Sequence, residues 1–470
     1  MDYSGQRVVI LGLARQGVAL ARYLAERGAR VTVSDRQSAE QLAEARAALS
    51  DLAVEYALGG HPETLLDGAD LLCLSGGVDA NLPLAVAARQ RGIPLSNDAQ
   101  LFLEACPTPH TVGITGSAGK TTTTTLVGRM LSAAAASAEP GVTVWVGGNI
   151  GHPLIGDLGR MGRQDLAVLE LSSFQLEIMT LSPRVGALLN ITPNHLDRHG
   201  TMDVYIAAKS NLLRCQPGDG VAVLGWDDAN ARGLAPLARG RLAYFSGAAE
   251  VECGACLRAA PAGEHLVWRW DGREHVVGAV SEIALRGRHN LLNVLAACAA
   301  SGAALSLAGR SPEAAVAAMR AGFLGFAGVE HRLEFVREWG GARWYNDSIA
   351  SAPERVSAAL RSFDEPLVLL LGGRDKKLPW DELAQFVQRR VRHCLLFGEA
   401  GPLIERALAA AHVDAARVTR CERLPEAVAA AARLVERGDV VLLSPGCTSF
   451  DEFQDFAERG ERFKAWVRAL

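Results

Sequence analysis

The segment Thr115-Gly116-Ser117-Ala118-Gly119-Lys120-Thr121 constrains this chain more than any other. It follows the β-branched run 111–115 and leads into a helical pattern, so strand, Gly-rich turn and helix fall in direct succession. In that order the glycines let backbone N–H groups approach phosphate oxygens, and the helix N-terminus adds favourable partial charge. Lys120 is then placed for the β- and γ-phosphates of a nucleotide, and the Thr121 hydroxyl for Mg²⁺. The full phosphate-loop pattern has glycine five residues before Gly119; Ile114 stands there, and Gly113 is one place off.

Strand-like runs alternate with helical ones along almost the whole chain, which predicts an α/β protein built on parallel sheets. Its 470 residues fit about three domains. Runs 8–11, 30–34, 71–74 and 94–97, with a helix over 18–27, predict an N-terminal Rossmann-like domain over 1–107, closed by the linker Pro107-Thr108-Pro109. A central domain over 108–328 has strands at 111–115, 142–146, 166–169 and 185–190 around the phosphate loop. Short alternating runs at 221–224, 242–245, 266–270 and 275–280 predict a small antiparallel addition to it. After a helix over 290–307 and a break near 322–328, a C-terminal Rossmann-like domain over 329–470 has strands at 344–346, 367–371, 393–397 and 440–443.

A net charge of −4 argues against a nucleic-acid or membrane-surface partner, because both need a basic face. Apolar residues at 49% and charged residues at 21% exclude a disordered chain. The N-terminus lacks the cationic start of a signal peptide, and no run of about 18 apolar residues occurs. Nine cysteines, an odd number with no export signal, fit reduced thiols in the cytoplasm. Cys253 and Cys256 form one C-x-x-C pair, but His265 and His275 complete no common zinc spacing.

Three further constellations carry chemistry. Strand 166–169 delivers Glu170 at its carboxyl end, where a carboxylate beside a phosphate-loop strand can hold Mg²⁺. Strand 185–190 ends in a segment with His195, Asp197, Arg198 and His199, suited to a second metal or a substrate. Gly12 to Gly17 follow the first strand with Asp35 at the tip of the next, a dinucleotide-like fingerprint with Ala14 in the second glycine place. That fingerprint leaves open a nucleoside diphosphate, an NAD-linked oxidoreductase or a plain tight turn. Lys209 by itself reads as a solvated helix residue.

Taken together, the phosphate loop, Gly147-Gly148-Asn149-Ile150-Gly151, the segment 169–175, the segment 190–198, Tyr205-Ile206-Ala207-Ala208-Lys209, Gly287-Arg288-His289-Asn290, His331-Arg332, Asn346-Asp347-Ser348 and Leu443-Ser444-Pro445 resemble the Mur ligases. The wording of 170–175 and 444–453 is most similar to the members that add D-glutamate to UDP-N-acetylmuramoyl-L-alanine in cytoplasmic peptidoglycan precursor synthesis. The resemblance implies three domains, for the UDP-sugar, for ATP and for the amino acid. It also implies an ATP-dependent amide ligation through an acyl phosphate, with ATP and two Mg²⁺ ions and without flavin or nicotinamide, by a monomer acting on small molecules.

Residue by residue, the resemblance assigns Lys120, His195 and Lys209 to catalysis. It assigns Gly116, Ser117, Ala118, Gly119, Lys120, Thr121, Thr122, Asn290, Arg332 and Asp347 to ATP, and Arg15, Gln16, Asp35, Arg36, Gly77, Asn149 and His195 to the UDP-substrate. Ser351, Lys376, Ser449 and Phe456 fall to glutamate; Thr121, Glu170, His195 and Lys209 as a carbamate fall to metal. After Asn346-Asp347-Ser348 the usual Lys-Ala-Thr-Asn is replaced by Ile349-Ala350-Ser351-Ala352, so L-glutamate stands as the alternative amino acid.

Overall fold

The computed structural model describes residues 2–137, 141–261 and 263–470. The chain divides into two compact units: Met1–Ala284 with Arg288–Gly325, and Leu285–Gly287 with Phe326–Leu470.

The first unit contains two sheets. In the smaller, β1 (Arg7–Leu11), β2 (Arg30–Asp35), β3 (Val54–Leu58), β4 (Leu71–Leu74) and β5 (Leu95–Ser96) lie in the order β3-β2-β1-β4-β5, all parallel. The chain reverses direction across this sheet beside β1, which makes the loop after β1 a crevice for ligands. Every residue of β1 after Arg7 is buried, as a strand covered by helices on both faces requires.

The larger sheet runs β14-β13-β12-β11-β10-β9-β6-β8-β7, with β6 (Thr111–Thr115), β7 (Val144–Gly148), β8 (Leu166–Glu170), β9 (Val185–Leu188), β10 (Val221–Gly225), β11 (Arg241–Ser246), β12 (Gly254–Ala260), β13 (Gly263–Trp270) and β14 (Arg273–Ala279). The antiparallel addition is smaller than the alternation at 221–224 and 242–245 suggested. β10 pairs in parallel with both β9 and β11, β11 pairs in parallel with β12, and only the β12–β13 and β13–β14 pairs are antiparallel. β10 is buried at every position, so its short apolar run is that of a two-sided core strand rather than a half-exposed one. The β13–β14 hairpin turns at Asp271-Gly272, both with positive φ, as a two-residue hairpin of this kind demands.

The linker Pro107-Thr108-Pro109 does not separate compact units. Thr108 is buried and its hydroxyl donates to the carbonyl of Asp165 at 2.5 Å, which pins the segment to the central sheet. The helix Arg288–Leu307 is the one described helix long and apolar enough to cross a membrane by length and composition, yet 72% of that stretch is buried inside the protein, where it packs on β9 to β13 and on the helix after the phosphate loop.

In the second unit, β15 (Glu334–Trp339), β16 (Ala342–Asn346), β17 (Leu367–Gly372), β18 (Val391–Phe397), β19 (Val418–Arg420) and β20 (Val440–Gly446) form a sheet in the order β15-β16-β20-β17-β18-β19. All neighbours are parallel except β15 and β16. One apolar cluster covers each face, around Trp380 and Leu369 on one side and Trp344 and Phe463 on the other.

Candidate active site

The phosphate loop lies between β6, an interior strand of the nine-stranded sheet, and the helix Lys120–Ala136. Gly119 caps that helix with φ 85°, and a Cβ there would stand 2.2 Å from Asn293 Oδ1. Only glycine closes the loop this tightly. The segment after β9 braces it from outside: Ser117 N–H donates to the Asn190 carbonyl at 2.9 Å, Ala118 N–H to Asn190 Oδ1 at 2.9 Å, and the Ser117 hydroxyl lies 3.0 Å from Tyr205 Oη. Lys120 Nζ curls back onto the Gly116 carbonyl at 2.9 Å, while Thr122 is buried in the first helical turn.

β8 lies beside β6, with Glu170 in register with Ile114, and beside β7, with Glu170 in register with Gly148. This puts the buried Glu170 carboxylate against two polar side chains. Thr121 Oγ1 donates to Oε2 at 2.9 Å and Asn149 Nδ2 donates to Oε1 at 3.0 Å. A hydroxyl and a carboxylate presenting hard oxygen atoms at the mouth of a phosphate loop are the donor set that Mg²⁺ takes.

Lys209 is not the solvated residue that its helical setting suggests. It is 1% exposed, and Nζ donates to Thr115 Oγ1 at 3.2 Å and to the Gly116 carbonyl at 3.0 Å, with the Tyr205 ring 4.8 Å away. Burial, and then the charge of Lys120, hold its proton affinity well below the usual lysine range.

His195 caps the short helix Leu196–His199 in the left-handed region, φ 54°, and its ring meets Phe174 edge-on at 5.3 Å. His199 is withdrawn from any joint site with it: buried, stacked on Phe174 at 5.0 Å and hydrogen-bonded to the Ser173 hydroxyl at 3.0 Å. Burial lowers its proton affinity. The Asp197 side chain lies outside the described residues. Arg198 reaches the smaller sheet, donating to the Gly77 carbonyl at 3.2 Å and approaching Asp79 at 3.6 Å.

Around the loop after β1, Arg15 donates to the carbonyl of Gly151, in the turn that also carries Asn149. Asp35 accepts from Leu13 N–H at 2.8 Å and Gln37 N–H at 2.9 Å, so its carboxylate shapes the crevice. Arg36 is exposed at the same strand end. Gln16 lies over Gly76, where a Cβ would stand 1.7 Å from its Oε1. Arg15, Gly77, Asn149 and the segment at His195 thus share one rim, although they come from separate stretches of sequence.

Asn290 lies at the start of the long buried helix, its Oδ1 accepting from Asn293 Nδ2 at 3.1 Å. Asn293, Asn190, Thr115 and Tyr205 are absent from the set expected from sequence. The three-residue spacing of Asn290 and Asn293 was the available signal for one of them, since it places both on one helix face.

In the second unit, Asp347 follows β16 and is fully buried, taking the Ser444 hydroxyl at 2.7 Å and Leu333 N–H at 3.2 Å. Burial pushes its carboxyl up to about 7 despite the nearby charge of Arg332. Lys376 Nζ donates to Ser351 Oγ at 3.0 Å, so the residue that departs from the usual pattern meets the cation expected at the glutamate carboxylate. Ser449 is buried after β20, and Phe456, 40% exposed, opens the helix Phe456–Ala469 and meets His331 edge-on at 5.9 Å. A cavity of about 910 Å³ lies elsewhere, at the amino-terminal edge of the nine-stranded sheet between Thr111, Arg184 and Arg239.

Residues 6–97 match the N-terminal domain of MurD-like Mur ligases, residues 114–301 the Mur ligase middle domain, and residues 331–447 the Mur ligase glutamate ligase domain. The chain is 43% identical over 466 residues to a UDP-N-acetylmuramoylalanine–D-glutamate ligase of Symbiobacterium thermophilum, covering 99% of this chain and 98% of that one. An enzyme of the same name from Geotalea daltonii is 41% identical over 480 residues, covering 100% and 99%. The fold is shared with UDP-N-acetylmuramate-alanine ligase MurC of Thermotoga maritima, at a TM-score of 0.56 and 18% identity over 98% of this chain and 99% of that one. MurF ligase of Thermotoga maritima, solved in complex with ADP, matches at 0.55 and 18% over 100% and 96%. With all three family domains in order and such likeness along its whole length, the chain belongs to the Mur ligases, the ATP-dependent amide-bond-forming enzymes.

Proposed function

We propose that the protein adds D-glutamate to UDP-N-acetylmuramoyl-L-alanine at the expense of ATP, in peptidoglycan precursor synthesis. The observation that carries this reading is the grouping of Lys120, Thr121, Glu170 and Lys209 around one phosphate loop, in a chain whose full-length relatives bear that name. Residues 1–107 hold the UDP group, 108–328 hold ATP, and 329–470 bring the amino acid. The enzyme works in the cytoplasm as a monomer on small molecules, with neither nucleic acid nor membrane as partner.

In this reading Gly116, Ser117, Ala118, Gly119 and Thr122 shape the phosphate cradle, Lys120 steadies the transferring phosphoryl group, and Asn290, Arg332 and Asp347 contribute nucleotide contacts. Thr121 and Glu170 hold one Mg²⁺; His195 and Lys209 hold a second. Bound Mg²⁺ supplies charge neutralisation on the phosphoryl oxygens. Lys209 serves as a carbamate: its buried amine, with its proton affinity lowered by burial, adds to CO₂, loses a proton and becomes an anion with oxygen donors. Arg15, Gln16, Asp35, Arg36, Gly77 and Asn149 receive the UDP-substrate.

The alanyl carboxylate attacks the γ-phosphorus and ADP leaves, giving an acyl phosphate. The glutamate amine then attacks the carbonyl carbon, loses a proton, and the tetrahedral adduct expels phosphate to give the amide. Lys376 and Ser351 take one glutamate carboxylate, the Ser449 region the other, and Phe456 walls the pocket. Phosphate release from ATP is therefore expected to need both the UDP-substrate and glutamate. Product formed with D-glutamate and not with L-glutamate supports the reading; preference for L-glutamate overturns the stereochemistry, and release indifferent to glutamate overturns the whole.

A further inference from the structure

The cavity at the amino-terminal edge of the nine-stranded sheet has no part in the reaction described above. Its volume, about 910 Å³, is that of a small-molecule site. Arg163, Arg184, Arg214 and Arg239 line it, with Asp219 as the one carboxylate in the wall. Four guanidiniums against one carboxylate leave an excess of three positive charges, in a chain whose net charge is −4.

The frame behind these groups is fixed. Arg184 directly precedes β9; its N–H donates to Thr111 Oγ1 at 3.0 Å, and its carbonyl accepts from Val221 N–H at 2.8 Å and from Gln216 Nε2 at 3.0 Å. Thr108, also in the wall, is anchored on the Asp165 carbonyl. Arg214 ends the helix Met202–Arg214, and its Nε donates to Ser210 Oγ at 3.1 Å.

The protein itself leaves much of this polarity unanswered. Arg184 Nη2 reaches Asp219 Oδ2 at 2.8 Å, but Arg184 Nε is buried with no hydrogen-bond partner. Gln216, fully buried, spends its Nε2 on backbone carbonyls while its Oε1 finds no donor. Among the described residues, Asp219 pairs with Arg184 alone, and Arg163, Arg214 and Arg239 form no ion pair. Their charge is felt at Cys215, whose thiol is pushed up by burial and drawn down in part by Arg239 and Arg214. Guanidinium forks around a concave surface match phosphate oxygens, which they take in pairs. One carboxylate or one phosphate would answer a single fork; an excess of three charges calls for two linked phosphates. Leu103, Pro107, Leu181 and Pro217 add apolar wall against which an ester group can lie.

We propose that this cavity is a further anion site, which takes a diphosphate group, free or esterified, on Arg163, Arg184, Arg214 and Arg239. It is separate from the phosphate loop. Thr111 opens β6 at the cavity and Thr115 closes it at the loop, about 13 Å away along the strand.

The test is isothermal titration of the full chain with inorganic pyrophosphate, in saturating ADP and UDP-substrate and without added Mg²⁺, which would sequester the anion. One equivalent of pyrophosphate is expected to bind, more weakly as NaCl is raised. Arg163→Glu combined with Arg239→Glu is expected to weaken this binding at least about tenfold. Both side chains are exposed and lie at the far end of β6 from the loop, so the affinity for ADP is expected to stay within about twofold. Should charge reversal impair folding, Arg163→Gln combined with Arg239→Gln is expected to weaken binding about threefold or more. Isopentenyl diphosphate separates the two sources of the group: tighter binding than pyrophosphate assigns the site to an ester seated on the apolar wall, and equal binding to the free anion. No binding of either probe, binding unmoved in the variants, or a site that disappears when ADP is added overturns the proposal. None of these outcomes bears on the ligase reading, which stands or falls on glutamate-dependent phosphate release.

Discussion

Lys120 and Lys209 present their ammonium nitrogens to one acceptor, the Gly116 carbonyl, at 2.9 and 3.0 Å. Burial of Lys209, and then the charge of Lys120 beside it, both oppose a proton on Lys209. The surroundings of the phosphate loop thus hold the proton affinity of Lys209 well below the usual lysine range.

Lys209→Met is expected to abolish ligation while raising Tm at pH 7. The sign follows from linkage: the folded-state proton affinity of Lys209 is depressed, so below the unfolded value of 10.5 the unfolded chain binds the extra proton and stability rises with pH through that window. Thermal scans from pH 6 to 9 should show a flatter stability curve in the variant. Activity of Lys209→Ala is expected to recover in part with acetate; full activity without it would remove the lysine from the mechanism.

Glu170→Gln keeps the shape of the side chain but removes its charge and one of the two oxygens that accept from Thr121 Oγ1 and Asn149 Nδ2. Turnover is expected to fall at least a hundredfold, on the order of 3 kcal/mol of transition-state stabilisation, with the Mg²⁺ requirement shifted to higher concentration. A titration of activity against Mg²⁺ checks it.

Gly119→Ala forces a side chain into the left-handed region and within 2.2 Å of Asn293 Oδ1. Destabilisation of about 1–3 kcal/mol is expected, with ATP binding lost before folding is. Denaturant melts with and without ADP separate the two effects: the variant should lose the ADP-dependent shift.

Asp347 gives the second unit a stability that falls as pH rises. Its carboxyl is raised from 3.8 to about 7 in the fold, so between those values the native state binds the extra proton, and stability is lost at up to about 1.4 kcal/mol per pH unit. Asp347→Asn is expected to remove this slope while weakening nucleotide binding. Denaturant melts at pH 5 and pH 7 are the check.

Much of the fold was legible from local pattern. The strands at 71–74 and 111–115 coincide with β4 and β6, because fully buried parallel strands announce themselves as short apolar runs between Gly-rich turns. The strands that escaped, β3, β12, β15 and β19, carry polar or small residues and partly exposed faces, so period and apolarity were both weak. The parallel pairing of β10 and β11 is hidden for a related reason: alternation over four residues cannot tell which neighbour a strand finds.

The sequence by itself determined the phosphate loop, the carboxylate at the end of β8 and the glycine at residue 119, since each depends on residue type and spacing along a few residues. Only the tertiary structure decided what surrounds Lys209 and Asp98. The partners of Lys209 are Thr115 and Gly116, 94 and 93 residues away, and those of Asp98 include Gln175, 77 residues on. Burial and charge are properties of such distant neighbours; they lower the proton affinity of a helical lysine and bury a helix-start aspartate against the side chain of Gln175.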